Sequence, residues 1–139
     1  MAEGTPTVSI IIPHWNGIET LSECLDSLKL STYRSFEIIV ADNASTDGSQ
    51  DWLKENHPDV ILLEHDNNYG YAGGCNRGAL VASGSFLLFL NNDTIQEPGW
   101  LEPLVDRIES DSSIAALQPK ILNYYVRDLF DYAGGSGGH

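Results

Sequence analysis

The chain has 139 residues, 42% of them hydrophobic and 19% charged, which suits one domain with a single core and not a disordered segment. Seven Lys and Arg against twenty Asp and Glu leave a formal net charge of −13. That balance argues against nucleic acid as a partner, because phosphate backbones want a basic stripe, and against electrostatic docking on anionic lipid. An anionic ligand would need local compensation, most simply a bound divalent cation.

In chain order, MAEGTPT has no signal- or transit-peptide character, and the longest apolar runs fall far short of the ~18–20 residues of a spanning helix. A soluble, cytoplasmic chain is expected. Val8–Ile12 is an apolar, β-branched run that reads as a buried strand ended by Pro13. Asn16-Gly-Ile-Glu19 resembles a capping box, with Ile18, Leu21, Leu25 and Leu28 at helical spacing and Cys24 alongside as a buried thiol. Phe36–Ala41 is a second strand, and Asp47-Gly-Ser-Gln50 caps a short helix carrying Trp52 and Leu53. Val60–Leu63 is a third strand. Tyr71–Ser83 is a helix rich in small residues, stopped by Gly84. Phe86–Leu90 is a fourth strand, driven through the core. Pro98 opens a helix with Leu101, Leu104, Val105 and Ile108 on one face, and Ile114–Leu117 is a fifth strand. This alternation predicts an α/β fold, a mainly parallel sheet flanked by helices.

In such sheets ligands bind outside the carboxyl ends of the strands. Polar residues gather at those ends: Pro13-His-Trp-Asn16, Asp42-Asn43 and Asn91-Asn-Asp93. Two glycine cradles are excluded. PHWNG stands where a dinucleotide fold wants G-x-G-x-x-G, and Gly73 to Gly78 is followed by Ala79-Leu80, not the Lys and hydroxyl of a P-loop. Without a cradle, a metal would hold the phosphates, and Asp93 is the natural ligand for Mg or Mn.

VSIIIPHWNG, IIVADNASTDGS, NNYGYAGGCNRGALVASG and LFLNNDT, in that order, resemble the N-terminal, donor-binding half of a family 2 glycosyltransferase of the GT-A (Rossmann-like, nucleotide-binding) fold. DNASTDGS, LNNDT and the closing FDYAGGSGG look most like the rhamnosyltransferase-like branch. The resemblance implies a single domain over residues 1–139, truncated before the acceptor site and the general base, so that this piece alone is inactive. It implies transfer of a sugar, with inversion, from deoxythymidine diphosphate-rhamnose or a uridine diphosphate sugar to a glycan or lipid-linked acceptor in cell-surface polysaccharide synthesis, peripheral to the inner membrane. Site roles follow by position. Pro13, Trp15 and Asn16 border the base and ribose; Asp42 reads the pyrimidine N–H, with Asn43 beside it. Asn76 and Arg77 lie near base and diphosphate. Asn91 and Asn92 stand in the D-x-D-like motif, Asn91 replacing its usual first aspartate, and Asp93 coordinates the metal. Cutting such a sheet would also expose apolar surface and promote self-association.

Plainer readings stand beside these. Asp93 and Asp42 could only shape turns, Asp47 caps its helix, Asn16 starts one, and Trp15 could be core. Trp52 and Trp100 read as packing residues, Arg77 could pair with a surface carboxylate, and His14, His57 and His65 read as loop or surface positions. AGGSGGH could be a linker. Two other functions remain open: a sugar nucleotidyltransferase, which would want a cation in the PHWNG loop, and a non-catalytic interaction module, towards which Asn91 leans.

Overall fold

Every residue of Val8–His14 is buried, which marks the middle of a sheet and not its edge. In the computed structural model, which describes residues 5–111 and the backbone of 121–122 and 130–132, this strand, β1, is flanked on both sides. β2 (Phe36–Asp42) and β4 (Phe86–Phe89) pair with it in parallel, β3 (Ile61–Glu64) pairs in parallel with β2, and the order is β3-β2-β1-β4. Helices α1 (Ile18–Lys29), α2 (Ser49–Asn56) and α3 (Gly70–Val81) alternate with the strands. The fold is the expected α/β arrangement of a parallel sheet between helices.

Several expected boundaries move for physical reasons. Pro13 does not end β1, which continues through His14 opposite Asp42. Thr7 and Ile11 present their carbonyls to the β4 side, where Phe86 and Leu90 donate to them, whereas His14 presents its carbonyl to Asn43 on the β2 side. By this alternation Pro13's missing N–H faces β4, past the last paired residue, Phe89 opposite Ile11. No donor is needed there, so the proline is tolerated. β3 is shifted one residue onward from Val60–Leu63, and α3 begins one residue earlier than Tyr71–Ser83 and ends two residues earlier, at Val81.

The Asn16 capping box is also corrected. The N-cap of α1 is Gly17, in the left-handed region at φ 105, with no side-chain cap bond, and Asn16 itself is left-handed at φ 53. The α1 stripe behaves as read, with Leu21, Cys24, Leu25 and Leu28 fully buried. Gly48, not Asp47, is the N-cap of α2, yet the Asp47 carboxylate still accepts the Ser49 N–H at 3.1 Å.

The two faces of β1 meet different helices. Ile11 and Pro13 lie under α3, where a Cβ on Gly78 would come within 2.5 Å of Ile11 and one on Gly74 within 3.0 Å of Pro13. His14, of opposite parity, reaches Ser49 of α2. Gly84 does not stop α3, whose C-cap is Ala82; it is required by close packing, for a Cβ there would meet the Ser9 backbone nitrogen at 2.7 Å.

β4 is not driven through the core. It is the edge of the four-stranded sheet, with Leu87 and Phe89 each 45% exposed on the face that α3 covers over β1. The chain divides into two compact units, Met1–Pro98 and Gly99–His139. The second holds α4 (Leu101–Ser110), with Leu101 and Val105 buried and Pro103 in its first turn, and a short antiparallel pair, β5 (Ile121–Leu122) with β6 (Phe130–Tyr132). The expected strand Ile114–Leu117 and the AGGSGGH segment lie outside the described residues. Among the described residues no helix is long and apolar enough to cross a membrane.

Candidate functional site

The loops that leave β1 and β2 are stitched together by their own side chains. The Asn16 N–H donates to Ser45 Oγ at 2.8 Å, Thr46 N–H donates to Asn16 Oδ1 at 2.8 Å, and Gly17 N–H donates to Asp47 Oδ2 at 2.7 Å. Asn16 thus uses both its left-handed backbone and its amide to hold the next loop, a duty beyond starting a helix. Trp15, between these anchors, is 52% exposed. It is not a core aromatic, and its indole is free to offer a stacking face.

Asp42 is fully buried, and its carboxylate is largely committed. Oδ1 accepts from Ser45 Oγ at 2.6 Å, while Oδ2 accepts from Ser45 N at 3.0 Å and from Gln50 Nε2 at 2.6 Å. Two carboxylate oxygens offer about four acceptor positions, so three are used in shaping the turn after β2. A ligand N–H would have to take the fourth or displace Gln50.

Asn43 is the hinge between β2 and the start of α3. Its Oδ1 accepts from His65 Nδ1 at 2.9 Å and from Tyr69 N at 3.3 Å, and its Nδ2 donates to the Gly70 carbonyl at 3.1 Å. Pro13 and Asn43 converge, since both approach Gly74. Among the described residues Arg77 forms no ion pair with a surface carboxylate. Its guanidinium lies 3.6 Å above the Tyr69 ring, a cation–π contact, and the Tyr69 hydroxyl donates to Asp66. Asn76 is exposed beside it on α3.

The loop after β4 is pinned from two directions. Asn91 C=O accepts from Thr94 Oγ1 at 2.9 Å, and Gln96 N donates to Ser27 Oγ of α1 at 3.0 Å. From the other side Asn92 Nδ2 lies 2.9 Å from His14 Nδ1. Asn91 and Asp93 are exposed. Among the described residues no three His, Cys, Asp or Glu side chains gather into a metal cage. A lone exposed carboxylate on a pinned loop instead fits the way Mg and Mn are held, by one or two carboxylates with phosphate oxygens and water completing the shell.

His14 corrects the reading of it as a loop or surface residue. It is 1% exposed, and its Nε2 lies 2.9 Å from Ser49 Oγ. Burial lowers its pKa, and the neighbouring Asp42 and Asp47 only partly offset that shift. Asp47, although desolvation pushes its carboxyl upward, is held below the usual range by bonds from Ser49 and Gly17. His57 is likewise buried, against Trp52 at 5.0 Å between ring centroids. His14 was detectable in the sequence: it directly follows a β-branched run, and only the reading of Pro13 as a stop removed it from the strand.

Residues 9–129 match the family described as Glycosyl transferase family 2. The chain is 35% identical over 119 residues to the uncharacterized glycosyltransferase YibD of Escherichia coli K12, covering 83% of this chain and 34% of that protein. It is 38% identical over 110 residues to the O-antigen biosynthesis protein RfbC of Myxococcus xanthus, covering 76% of this chain and 9% of that one. Among solved structures, the mannosyltransferase PcManGT from Pyrobaculum calidifontis, in complex with GDP-Man and Mn2+, superimposes with a TM-score of 0.60 at 29% identity, covering 66% of this chain and 29% of that one. The chain therefore spans about a third or less of the length of these relatives.

Proposed function

Because the chain belongs to glycosyl transferase family 2, we propose that the carboxyl rim of its GT-A sheet is the donor site for a nucleoside-diphosphate sugar. One observation carries this reading. The loops leaving the paired strands β1 and β4 are joined by the His14–Asn92 bond and leave Trp15, Asn91 and Asp93 exposed on the same rim.

In this reading Trp15 stacks on the base, Pro13 and Asn16 border base and ribose, and Asp42 with Asn43 forms the floor beneath them. Asn76 and Arg77 flank the diphosphate, with Arg77 pre-positioned by its stacking on Tyr69. Asn91 and Asn92 offer amides to ribose hydroxyls, and Asp93 holds Mg or Mn. When bound, the cation neutralises the diphosphate and eases its departure. The net charge of −13 favours such neutralisation, since the field of the chain opposes an anionic ligand. The likeness to a mannosyltransferase in complex with GDP-Man and Mn2+ supports both the ligand class and the cation.

The complete reaction is transfer of the sugar, with inversion, to an acceptor hydroxyl activated by a general base beyond residue 139. Residues 1–139 then form one donor-binding domain that is inactive alone. Deoxythymidine diphosphate-rhamnose or a uridine diphosphate sugar is the donor, on the strength of the DNASTDGS and LNNDT variants. The match to an O-antigen biosynthesis protein supports cell-surface glycan synthesis, and a cytoplasmic protein peripheral to the inner membrane goes with that reading. A second reading, a non-catalytic module, draws on Asn91 and on the committed carboxylate of Asp42.

Calorimetric titration with uridine, deoxythymidine and guanosine diphosphates, with and without Mn2+, separates the two. The donor-site reading expects Mn2+-dependent binding that Asp93→Ala weakens at least ~10-fold, or about 1.4 kcal/mol. A folded chain that binds none of the three with Mn2+ present favours the module.

A further inference from the structure

The hydrogen bonds around His14 have only one consistent direction. Ser49 Oγ donates its single proton to Asp47 Oδ1, so at 2.9 Å from His14 Nε2 it can only accept, and Nε2 carries the ring proton. In the neutral ring Nδ1 is then a bare acceptor, and it faces Asn92 Nδ2, a donor, at 2.9 Å. The chain is closed at its far end, because Asp47 also accepts Gly17 N–H at 2.7 Å. A directed series therefore runs from Asn92 through His14 and Ser49 to Asp47, on which Gly17 converges as a second donor. It links the loop after β4, the start of α2 and the start of α1.

We propose that His14 is a positioning residue that sets the Asn91–Asp93 loop by accepting from Asn92 in a fixed Nε2–H tautomer, and so couples the base side of the rim to its metal side. The role given to the loop rests on the donor-site reading; the positioning itself does not. The ring is buried, which favours its neutral form and with it an accepting Nδ1. The other described anchors hold the Asn91 carbonyl, through Thr94 Oγ1 at 2.9 Å and Cys24 Sγ at 3.9 Å, and the later Gln96, through Ser27, so loss of the His14 bond frees the Asn92 side chain locally and not the whole fold.

The two arms of the ring can be separated by substitution. In His14→Asn the amide oxygen can occupy the place of Nδ1 and keep the Asn92 bond, while the Ser49 arm is lost. In His14→Gln the terminal amide reaches the place of Nε2 and keeps the Ser49 arm, while the Asn92 bond is lost. Backbone 15N order parameters of residues 91–93 are measured in the ligand-free chain, in these variants and in Asn92→Ala. The expected result is rigid values, about 0.85, in the parent chain and His14→Asn, falling towards about 0.6 in His14→Gln and Asn92→Ala. The double variant His14→Gln/Asn92→Ala adds no further loss, because both changes remove one interaction. A 15N signal of unprotonated Nδ1 at neutral pH is expected in the parent chain. Equal behaviour of His14→Asn and His14→Gln, additive losses in the double variant, or a protonated Nδ1 overturns the proposal. Affinity for Mn2+ with a nucleoside diphosphate should follow the order parameters, dropping about 3- to 10-fold where the bond is lost. Absence of any nucleotide binding by the parent chain would overturn the donor-site reading and leave the relaxation result to decide this one.

Discussion

Burial sets the behaviour of three histidines. It lowers the pKa of His14, His57 and His65, with Lys29 adding to the effect at His57 and Arg77 at His65, while nearby carboxylates pull each the other way. A ring that binds its proton less tightly folded than unfolded makes unfolding easier once the pH falls below the unfolded value, about 6.5 for histidine. Stability is therefore full above that pH and declines as pH drops from there through the lower folded values. Glu37 and Asp47, held low by hydrogen bonds in spite of desolvation, and Asp66, held low by Tyr69, add a second decline only under more acidic conditions. Urea midpoints measured from pH 8 to pH 5 should fall below about pH 6.5, and less so in His57→Gln. A flat profile across that range would contradict the buried, neutral rings. Trp15 and Asp93 could be put on the rim from the sequence because they stand in polar runs just after apolar strands, and both are exposed there. His14 was missed, because one proline was read as a terminator without asking which neighbour its nitrogen faces.

At the level of elements, periodicity located every strand and helix of the first unit to within one or two residues, because β-branched runs and the α1 stripe each match one period. What periodicity could not show was depth. Phe86–Phe89 is as apolar as Val8–Ile12, yet one is an edge and the other is central, a difference made by which strands pair and not by composition. Small residues carried more information than their helix propensity suggests. Gly78 lets α3 settle on Ile11, where an added methyl would stand 2.5 Å from Cγ2. Gly78→Ala should therefore destabilise the chain by about 1–3 kcal/mol through overpacking, although alanine is the better helix former. A denaturant midpoint equal to or above that of the parent would show that α3 can shift at no cost.

For the molecule as a whole, the four motifs in register made the family legible from sequence, and the charge made a cation a reasonable expectation. The two described ion pairs, Lys29–Asp59 at 3.5 Å and Lys54–Glu64 at 2.9 Å, are both on the surface and contribute little to stability. The fold is held by the buried faces of β1, β2 and α1 and by the polar stitching of the strand ends. That stitching was not legible, since Asn16 to Thr46 and Asn92 to His14 join residues 30 and 78 positions apart. No local pattern encodes such partners, yet they decide whether the rim is one site or three separate loops.

The most direct test of the rim as a donor site is to follow backbone amide shifts of this chain while uridine or deoxythymidine diphosphate is added with Mg2+. The account predicts that the shifted amides cluster at residues 14–16, 42–43, 76–77 and 91–93, and that Asp93→Ala removes the cluster. Shifts centred instead on the groove of about 180 Å³ lined by Leu53, Lys54, His57 and Val60, or no shifts at all, would contradict it.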